Sequence, residues 1–428
     1  MSAVNVLIFP AGEINSVELH DALSNNVNIN VFGAASKERH GSYVFKNYRG
    51  GLPLITDNNF LTEFNQLIKE WNIDFIFPTH DTVVLFFAQN QSLIDAKVIA
   101  ADLFTSEVCR SKRRTYELFK DYDFCPTVYK SFDCFPCFVK PDAGQGAVGT
   151  KIIRTQEDIP EKFDFLENVI MELLPGEEMT VDCLTDGKGN LCAVLPRKRL
   201  RLFSGVSVAG TNVYADKEIN DIAHNINDKM RFLGLWYFQI KKDTNEKYKL
   251  LEISTRCAGT MCLSRARGVN LPLLSIYAAQ GKNITIFENP YDIKMDRTLI
   301  SRYKISYEYS TVYIDYDDTI VSGKTVIPSV IRFLYQCKNQ NKKVILISRH
   351  NEDHDDLLSQ SLSKHCIDPE LFDRIIILSF EQEKYEFIDP HEAIFIDNAY
   401  AERKKVFDKY NIPVFDVEGI EVLTDWRQ

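Results

Sequence analysis

From residue 1 to 105, short apolar runs alternate with amphipathic stretches. VNVLIF, NINVF, FIFP and KVIA read as strands, and ELHDALSN and FLTEFNQLIKEW read as the helices between them. Alternation of this kind predicts a parallel sheet covered on both faces. The C-terminal ends of parallel strands open onto a crevice. Gly12 and Glu13 lie there after the first strand, and Thr79, His80 and Asp81 after FIFP. A substrate contact and a plain helix N-cap at Thr79 or Asp81 are both open readings.

Residues 106–130 predict a capped helix carrying Lys112, Arg113 and Arg114, then a Pro-containing connection. Cations at a helix start are disfavoured by the helix dipole unless an anion compensates, so Lys112 is a candidate phosphate contact. A solvated basic face explains it as well. Phe138 to Arg154 then runs FVKPDAGQGAVGTKIIR. GQGAVG fits the spelling of a dinucleotide-binding turn, but a helix must follow such a turn, and TKIIRT is β-branched and strand-like. A Walker-type loop fails too, because Thr-Lys follows Gly149. What remains is a strand–loop–strand hairpin, with Lys140 on its first strand and Gly144, Gly146 and Gly149 in the loop. Small residues let backbone N–H groups close over phosphates while the lysine supplies charge. A flexible hairpin tip is the plain alternative.

Three later stretches add polar groups at regular spacing. VIMELLPGEEMTVDCLTD (169–186) reads as a hairpin in which an apolar strand reaches Glu172. Leu173 and Leu174 then lead into a Pro-Gly turn and Glu178. A backbone hinge beside apolar side chains suits a purine edge, and a nearby glutamate suits ribose hydroxyls. PRKRLRLFSG (196–205) puts Arg197, Arg199 and Arg201 on one strand face, either as a solvated edge or as a charged wall. WYFQIKKDTNEKYKLLEISTRCAGT (236–260) reads as two strands around a polar turn, with Gln239 on the first and Glu252, Ser254 and Arg256 on the second. Hard oxygen ligands with open positions suit magnesium bridged to phosphates.

Composition narrows the class. The chain has 428 residues, 45% hydrophobic and 26% charged, with net charge −10, so two to four structural units are expected and nucleic acid is an improbable partner. The start, MSAVNVLIFPAGE, lacks a basic n-region, and no stretch has the length of a membrane span. Ten cysteines scattered without a framework suit reduced thiols, and the lone CxxC at Cys134 and Cys137 has no second pair to make a metal site. The expectation is a cytoplasmic protein without a membrane partner.

Taken together, residues 1–300 resemble the ATP-grasp superfamily, especially its carbamoyl-phosphate-synthase-like branch. The resemblance implies a Rossmann-like pre-domain (1–105) and a two-lobed, α+β ATP-grasp domain (106–304). The strand lysine falls on Lys140, the phosphate flap on Gly144–Gly149, the hinge on Glu172 and Leu174, and the ribose contact on Glu178. Lys112 joins this nucleotide set. By the same resemblance the metal ligands would be Gln239, Glu252 and Ser254, and Arg256 would contact the phosphates. Serine is a departure at 254, where asparagine is usual.

After ISRYKISYEYS, a linker or edge strand, TVYIDYDDTIVSG ends an apolar strand in Asp315, Asp317, Asp318 and Thr319. Acids so crowded repel one another, and packing alone does not select them. DxDxT in this setting resembles motif I of the haloacid dehalogenase (HAD) phosphatases. KKVILIS supplies Ser348 for motif II, the stretch after RIIIL supplies Lys384 for motif III, and AIFIDNAYAERKKV supplies Asp397 for motif IV. Relatives often carry a second aspartate where this chain has Asn398. The short intervals from Asp315 to Ser348 and from Ser348 to Lys384 imply a capless Rossmannoid domain over 305–428.

The resemblances imply a bifunctional enzyme of α/β and α+β class using ATP and Mg2+, with Mn2+ as a substitute ion. A carboxylate is phosphorylated to an acyl phosphate, and a free amine or phosphorylated amine attacks it. The phosphatase works through covalent catalysis: Asp315 attacks phosphorus and Asp317 acts as acid and base. Ser348 and Lys384 bind phosphate oxygens, while Asp315, the backbone carbonyl of Asp317 and Asp397 hold the metal. Fused relatives suggest polysaccharide tailoring, and a homodimer is common among relatives. An unrelated phosphatase sharing the chain, or a nucleotide-binding sensor with little turnover, are the alternatives that Ser254 and Asn398 keep open.

Overall fold

The computed structural model describes residues 3–144, 146, 148–203, 205–349 and 357–427; Gln145 and Ala147 of the glycine loop lie outside them. The chain forms two compact units, Met1–Leu299 and Ile300–Gln428. The resemblance implies a boundary at 304. Among the described residues no helix is long and apolar enough to cross a membrane.

The first unit opens with β1 (Val4–Phe9), α1 (Ile14–Leu23), β2 (Ile29–Ala34), β3 (Asn47–Arg49), α2 (Phe60–Glu70), β4 (Phe75–Pro78), α3 (Asp81–Gln89) and β5 (Lys97–Val98). The strands make a five-stranded parallel sheet in the order β3-β2-β1-β4-β5. Side chains along β1 alternate between two cores, as a strand's period of two requires. Leu7 and Phe9 pack with Phe60, Phe64 and Phe87 on one face, and Val6 and Ile8 with Leu19 and Phe45 on the other.

The single helix predicted for 106–130 is two, α4 (Leu103–Arg110) and α5 (Lys112–Leu118). Ser111 between them is extended, and its hydroxyl accepts from the Arg114 N–H while donating to Asp142. The serine thus caps the second helix and fastens it to the strand lysine's segment. Strands β6 (Val128–Tyr129), β7 (Cys137–Pro141), β8 (Lys151–Ile153) and β9 (Asn168–Glu172) form an antiparallel sheet, with β7 and β8 paired around the glycine loop. The predicted 169–186 hairpin does not exist. β9 ends in this sheet, while β10 (Glu178–Thr185) begins another, and Pro175-Gly176 crosses between them.

The second sheet holds β10, β11 (Leu191–Phe203), β12 (Val206–Asn212), β13 (Gly234–Lys242), β14 (Tyr248–Ser254) and β15 (Lys294–Asp296), in the order β14-β13-β10-β11-β12-β15. Helix α6 (Lys217–Lys229) buries Ile219, Ile222 and Ile226 against Met179, Val181, Trp236, Phe238 and Leu250. One face of the sheet is therefore core. The other carries Glu178, Thr180 and Asp182 of β10 for chemistry, and farther along it Leu184, Leu195 and Leu235 join the core under the parallel sheet. β11 is an interior strand, so the solvated-edge reading of its arginines gives way to a buried Arg197 and a half-buried Arg199. Leu200 interrupts the pairing, with Arg199 opposite Gly210 and Arg201 opposite Ala209. The irregularity turns Arg201 away to pair with Asp296, so the three arginines do not share a wall.

The second unit contains β16 (Thr311–Ile314), a small hairpin β17 (Val321–Ser322) and β18 (Thr325–Val326), α7 (Pro328–Asn339), β19 (Lys343–Ser348), β20 (Arg374–Ile377), β21 (Ala393–Ile396), α8 (Tyr400–Tyr410) and β22 (Val414–Phe415). Its parallel sheet runs β20-β19-β16-β21-β22. The central strands are fully buried, hence their continuous apolar runs. Residues 301–309 form no strand.

Candidate active sites

In the first unit a cavity of about 800 Å³ lies between the crevice end of the parallel sheet and the free face of the six-stranded sheet. Register builds its sheet wall. Thr180 lies opposite Gln239 on one side and Arg197 on the other, and Gln239 lies opposite Glu252. Directly paired residues share a face, so these four side chains form one row. Tyr237 opposite both Asp182 and Ser254 gives the next row. A bulge after Gln239 leaves Leu251 unpaired, which lets Leu250 face the core while Glu252 faces the cavity.

Asp182 and Arg197 form a buried ion pair in which Arg197 Nε donates to Thr260 Oγ1 at 2.9 Å and Ser264 donates to Asp182 at 3.0 Å. Burial pushes the Asp182 carboxyl up, against the pull of Arg197. Neither Asp182 nor Thr260 was singled out from sequence; the period-two spacing of Asp182 from Glu178 was the available signal. Glu178 itself pairs with Arg199, which also reaches Gln239 Oε1 at 3.4 Å.

Lys140 is 5% exposed, donates to the Leu251 carbonyl at 3.0 Å, and sits 5.2 Å over the Tyr116 ring. Burial, then repulsion from Lys112, lowers its pKa to about 7. Lys112 Nζ lies 3.4 Å from the carbonyls of Asp142 and Gly144, at the foot of the glycine loop. Gly149 has φ of +76°, and a Cβ there would meet Pro141 at 2.8 Å, so the turn demands glycine. Gly146 also has positive φ and lines the cavity. At the hinge, Glu172 Oε1 accepts from the Thr127 N–H at 2.7 Å and Leu174 is buried. Ser254 donates to Asp81 Oδ1 at 2.8 Å, and Arg256 holds both Asp81 oxygens at 3.0 Å.

In the second unit the sheet brings Asp315, Ser348 and Asp397 to the C-terminal ends of three adjacent strands. Lys384 Nζ bridges Asp315 at 2.6 Å and Asp397 at 2.7 Å, all three being at most 5% exposed. Burial raises the Asp315 carboxyl to about 6, with Lys384 opposing and Asp397 adding to the rise; burial raises Asp397 as well. Ser348 Oγ is buried and has no hydrogen-bond partner among the described residues. Thr319 Oγ1 lies 3.4 Å from Asp315 Oδ2 and 3.3 Å from Asn398 Oδ1, so Asn398 supports Thr319 beside Asp315. Asp317, two residues after Asp315, is exposed.

Among the described residues no group of three or more His, Cys, Asp or Glu side chains is gathered as a ready metal site. Magnesium does not require one, since it binds through one or two carboxylates and completes its shell with waters and substrate phosphates. Glu252 with Gln239, and Asp315 with Asp397, fit that donor set.

Residues 164–299 match the family described as ATP-grasp in the biosynthetic pathway with Ter operon. No curated protein sequence matches the chain. Among solved structures, N5-carboxyaminoimidazole synthetase from Staphylococcus aureus is similar with a TM-score of 0.59 at 14% identity, over 70% of this chain and 83% of that one. Biotin carboxylase from Campylobacter jejuni gives 0.54 at 14% identity, over 66% and 72%. An L-amino acid ligase from Bacillus licheniformis gives 0.52 at 14% identity, over 65% and 74%. With the two-sheet architecture and cavity described above, these likenesses give the first unit the ATP-grasp fold.

Proposed function

We propose that the chain is a bifunctional enzyme, an ATP-dependent carboxylate–amine ligase fused to a phosphatase of HAD type. The ligase reading is carried by strand register, which sets Gln239 and Glu252 side by side on the cavity wall that Arg256 also lines. The similar structures support it in their own chemistry: one is a ligase, and others were determined with ADP or an ATP analogue.

In this reading ATP lies between the sheets. The Leu174 hinge takes the purine and Glu178 the ribose, after exchanging its pairing with Arg199. Lys140, Lys112 and the glycine loop take the phosphates. Gln239, Glu252 and Ser254 would hold magnesium, which neutralises charge on the transferred phosphoryl group. A substrate carboxylate oxygen attacks the γ-phosphorus, the bond to the bridging oxygen breaks, and ADP departs. Arg256 balances the developing charge, and the closed loop keeps water from the acyl phosphate. The amine then attacks the acyl carbon and phosphate leaves, giving an amide.

The phosphatase reading rests on the Lys384 bridge between Asp315 and Asp397 beside a Ser348 hydroxyl with no partner among the described residues. A phosphate oxygen would satisfy Ser348 and compete for Lys384, freeing Asp315 to attack phosphorus. Asp317 protonates the leaving oxygen and then activates water to hydrolyse the aspartyl phosphate. Asp315, Asp397 and the Asp317 carbonyl would hold its magnesium. When the amine arrives phosphorylated, this unit dephosphorylates the ligated product. Asp315→Asn is expected to keep ADP formation while a phosphorylated amide accumulates, detected by mass spectrometry. Unchanged dephosphorylation in that variant would remove the phosphatase assignment.

A further inference from the structure

We propose that His80 and Asp81, consecutive residues after β4, complete a subsite for the substrate carboxylate, His80 as a direct Nε2–H donor and Asp81 by positioning Arg256. The inference rests on the ligase reading and names who holds the first substrate.

His80 and Arg256 line the same cavity. The backbone N–H of Thr82 donates to His80 Nδ1 at 3.2 Å, so that nitrogen carries the lone pair. The proton of the neutral ring is then on Nε2, which has no hydrogen-bond partner among the described residues. Charged groups surround the ring on several sides: Asp81 and Glu13 favour the imidazolium, while Arg256 and Arg110 oppose it. Burial is the largest influence and acts with the two arginines against the acids, so the pKa is lowered and the neutral ring is favoured. It can therefore donate through Nε2 and cannot accept there.

Asp81 reaches across 175 residues of sequence to take Arg256 Nε and Nη2, each at 3.0 Å. It also takes the Ser254 hydroxyl at 2.8 Å. Both carboxylate oxygens of Asp81 are thus occupied, and the guanidinium is held in a two-point grip; Nη1 also donates to the Cys257 carbonyl at 3.2 Å, which leaves one N–H on each terminal nitrogen for a ligand. A fixed cation beside a neutral donor suits a carboxylate oxygen. An ammonium would meet Arg256 as a like charge and find no acceptor on His80. The phosphates have their own partners in Lys140, Lys112 and the glycine loop, on the side of the antiparallel sheet.

The test is carboxylate-stimulated ADP release by the full chain, using bicarbonate, L-alanine, L-glutamate, citrate and D-glucuronate as the probe acids, each with ammonium. Wild type is compared with His80→Ala, His80→Gln and Asp81→Asn. Loss of one hydrogen bond to a charged group is expected to raise the carboxylate KM about tenfold in His80→Ala, with the ATP KM unchanged. His80→Gln, whose amide N–H reaches the Nε2 position, is expected to recover most of that loss. Asp81→Asn is expected to raise the carboxylate KM by a similar factor. Partial unfolding would lower kcat with both KM values intact, so it is not confused with these results. A carboxylate KM unmoved by His80→Ala, or a Gln variant no better than Ala, overturns the proposal while leaving the ligase. Wild type without any carboxylate stimulation overturns both.

Discussion

Lys140 is a buried amine whose charge is poorly supported until a phosphate arrives. With a pKa of about 7 it is mostly neutral at pH 8, and a bound triphosphate would draw a proton onto it. ATP binding at pH 8 is therefore expected to take up close to one proton, read by calorimetry in two buffers of different ionisation enthalpy. Lys140→Gln should abolish the uptake; equal uptake in that variant would assign the proton elsewhere. The sign for stability follows from the same shift. Between pH 7 and 10.5 the unfolded chain holds this proton and the folded chain does not, so this group makes stability rise with pH. At this scale the sequence made the placement of residues readable where type and spacing coincide: Lys140 and Glu252 lie on strands and Asp315 at a strand end, as the pattern implies. It was silent on Asp182 and the Asp81–Arg256 grip, because partners 15 or 175 positions away are matched by sheet register and loop placement.

The six-stranded sheet divides its labour by face. Odd positions of β10 and even positions of β13 lie under α6, and the opposite face holds the site. Phe238→Ala, at 0% exposed, should cost about 3–5 kcal/mol of stability through the cavity it leaves. It should do so with little change in nucleotide affinity for the molecules that remain folded. Denaturant unfolding with parallel ATP titration checks this, and a large loss of affinity at unchanged stability would contradict the division. Strand and helix types were legible from periodicity, including the β7–β8 hairpin and the paired β13 and β14. Interruptions were not. Ser111 breaks a helix by bonding Asp142, Leu200 turns Arg201 outward, and Pro175-Gly176 sends β10 into a second sheet. Each depends on a neighbour distant in sequence or on a one-residue irregularity that leaves the hydrophobic pattern intact.

At the scale of the whole chain, the second unit places its polar residues at the ends of apolar strands, whereas the first sets Thr180, Gln239 and Glu252 in a row across one face of a sheet. Alternating strands and helices made the first parallel sheet readable, while the second was expected only from the motif resemblance around Asp315. The antiparallel region was harder, because pairing order in β-sheets is set by contacts between sequence-distant strands. The central claim is that the first unit makes an acyl phosphate and passes it to an amine. The most direct measurement is ADP release by the purified full chain against a panel of carboxylates crossed with amines and phosphorylated amines. ADP formation that requires one carboxylate and one amine together, with the amide as product, is the result predicted. ATP binding without carboxylate-dependent ADP release across the panel would contradict it and leave a nucleotide-binding sensor.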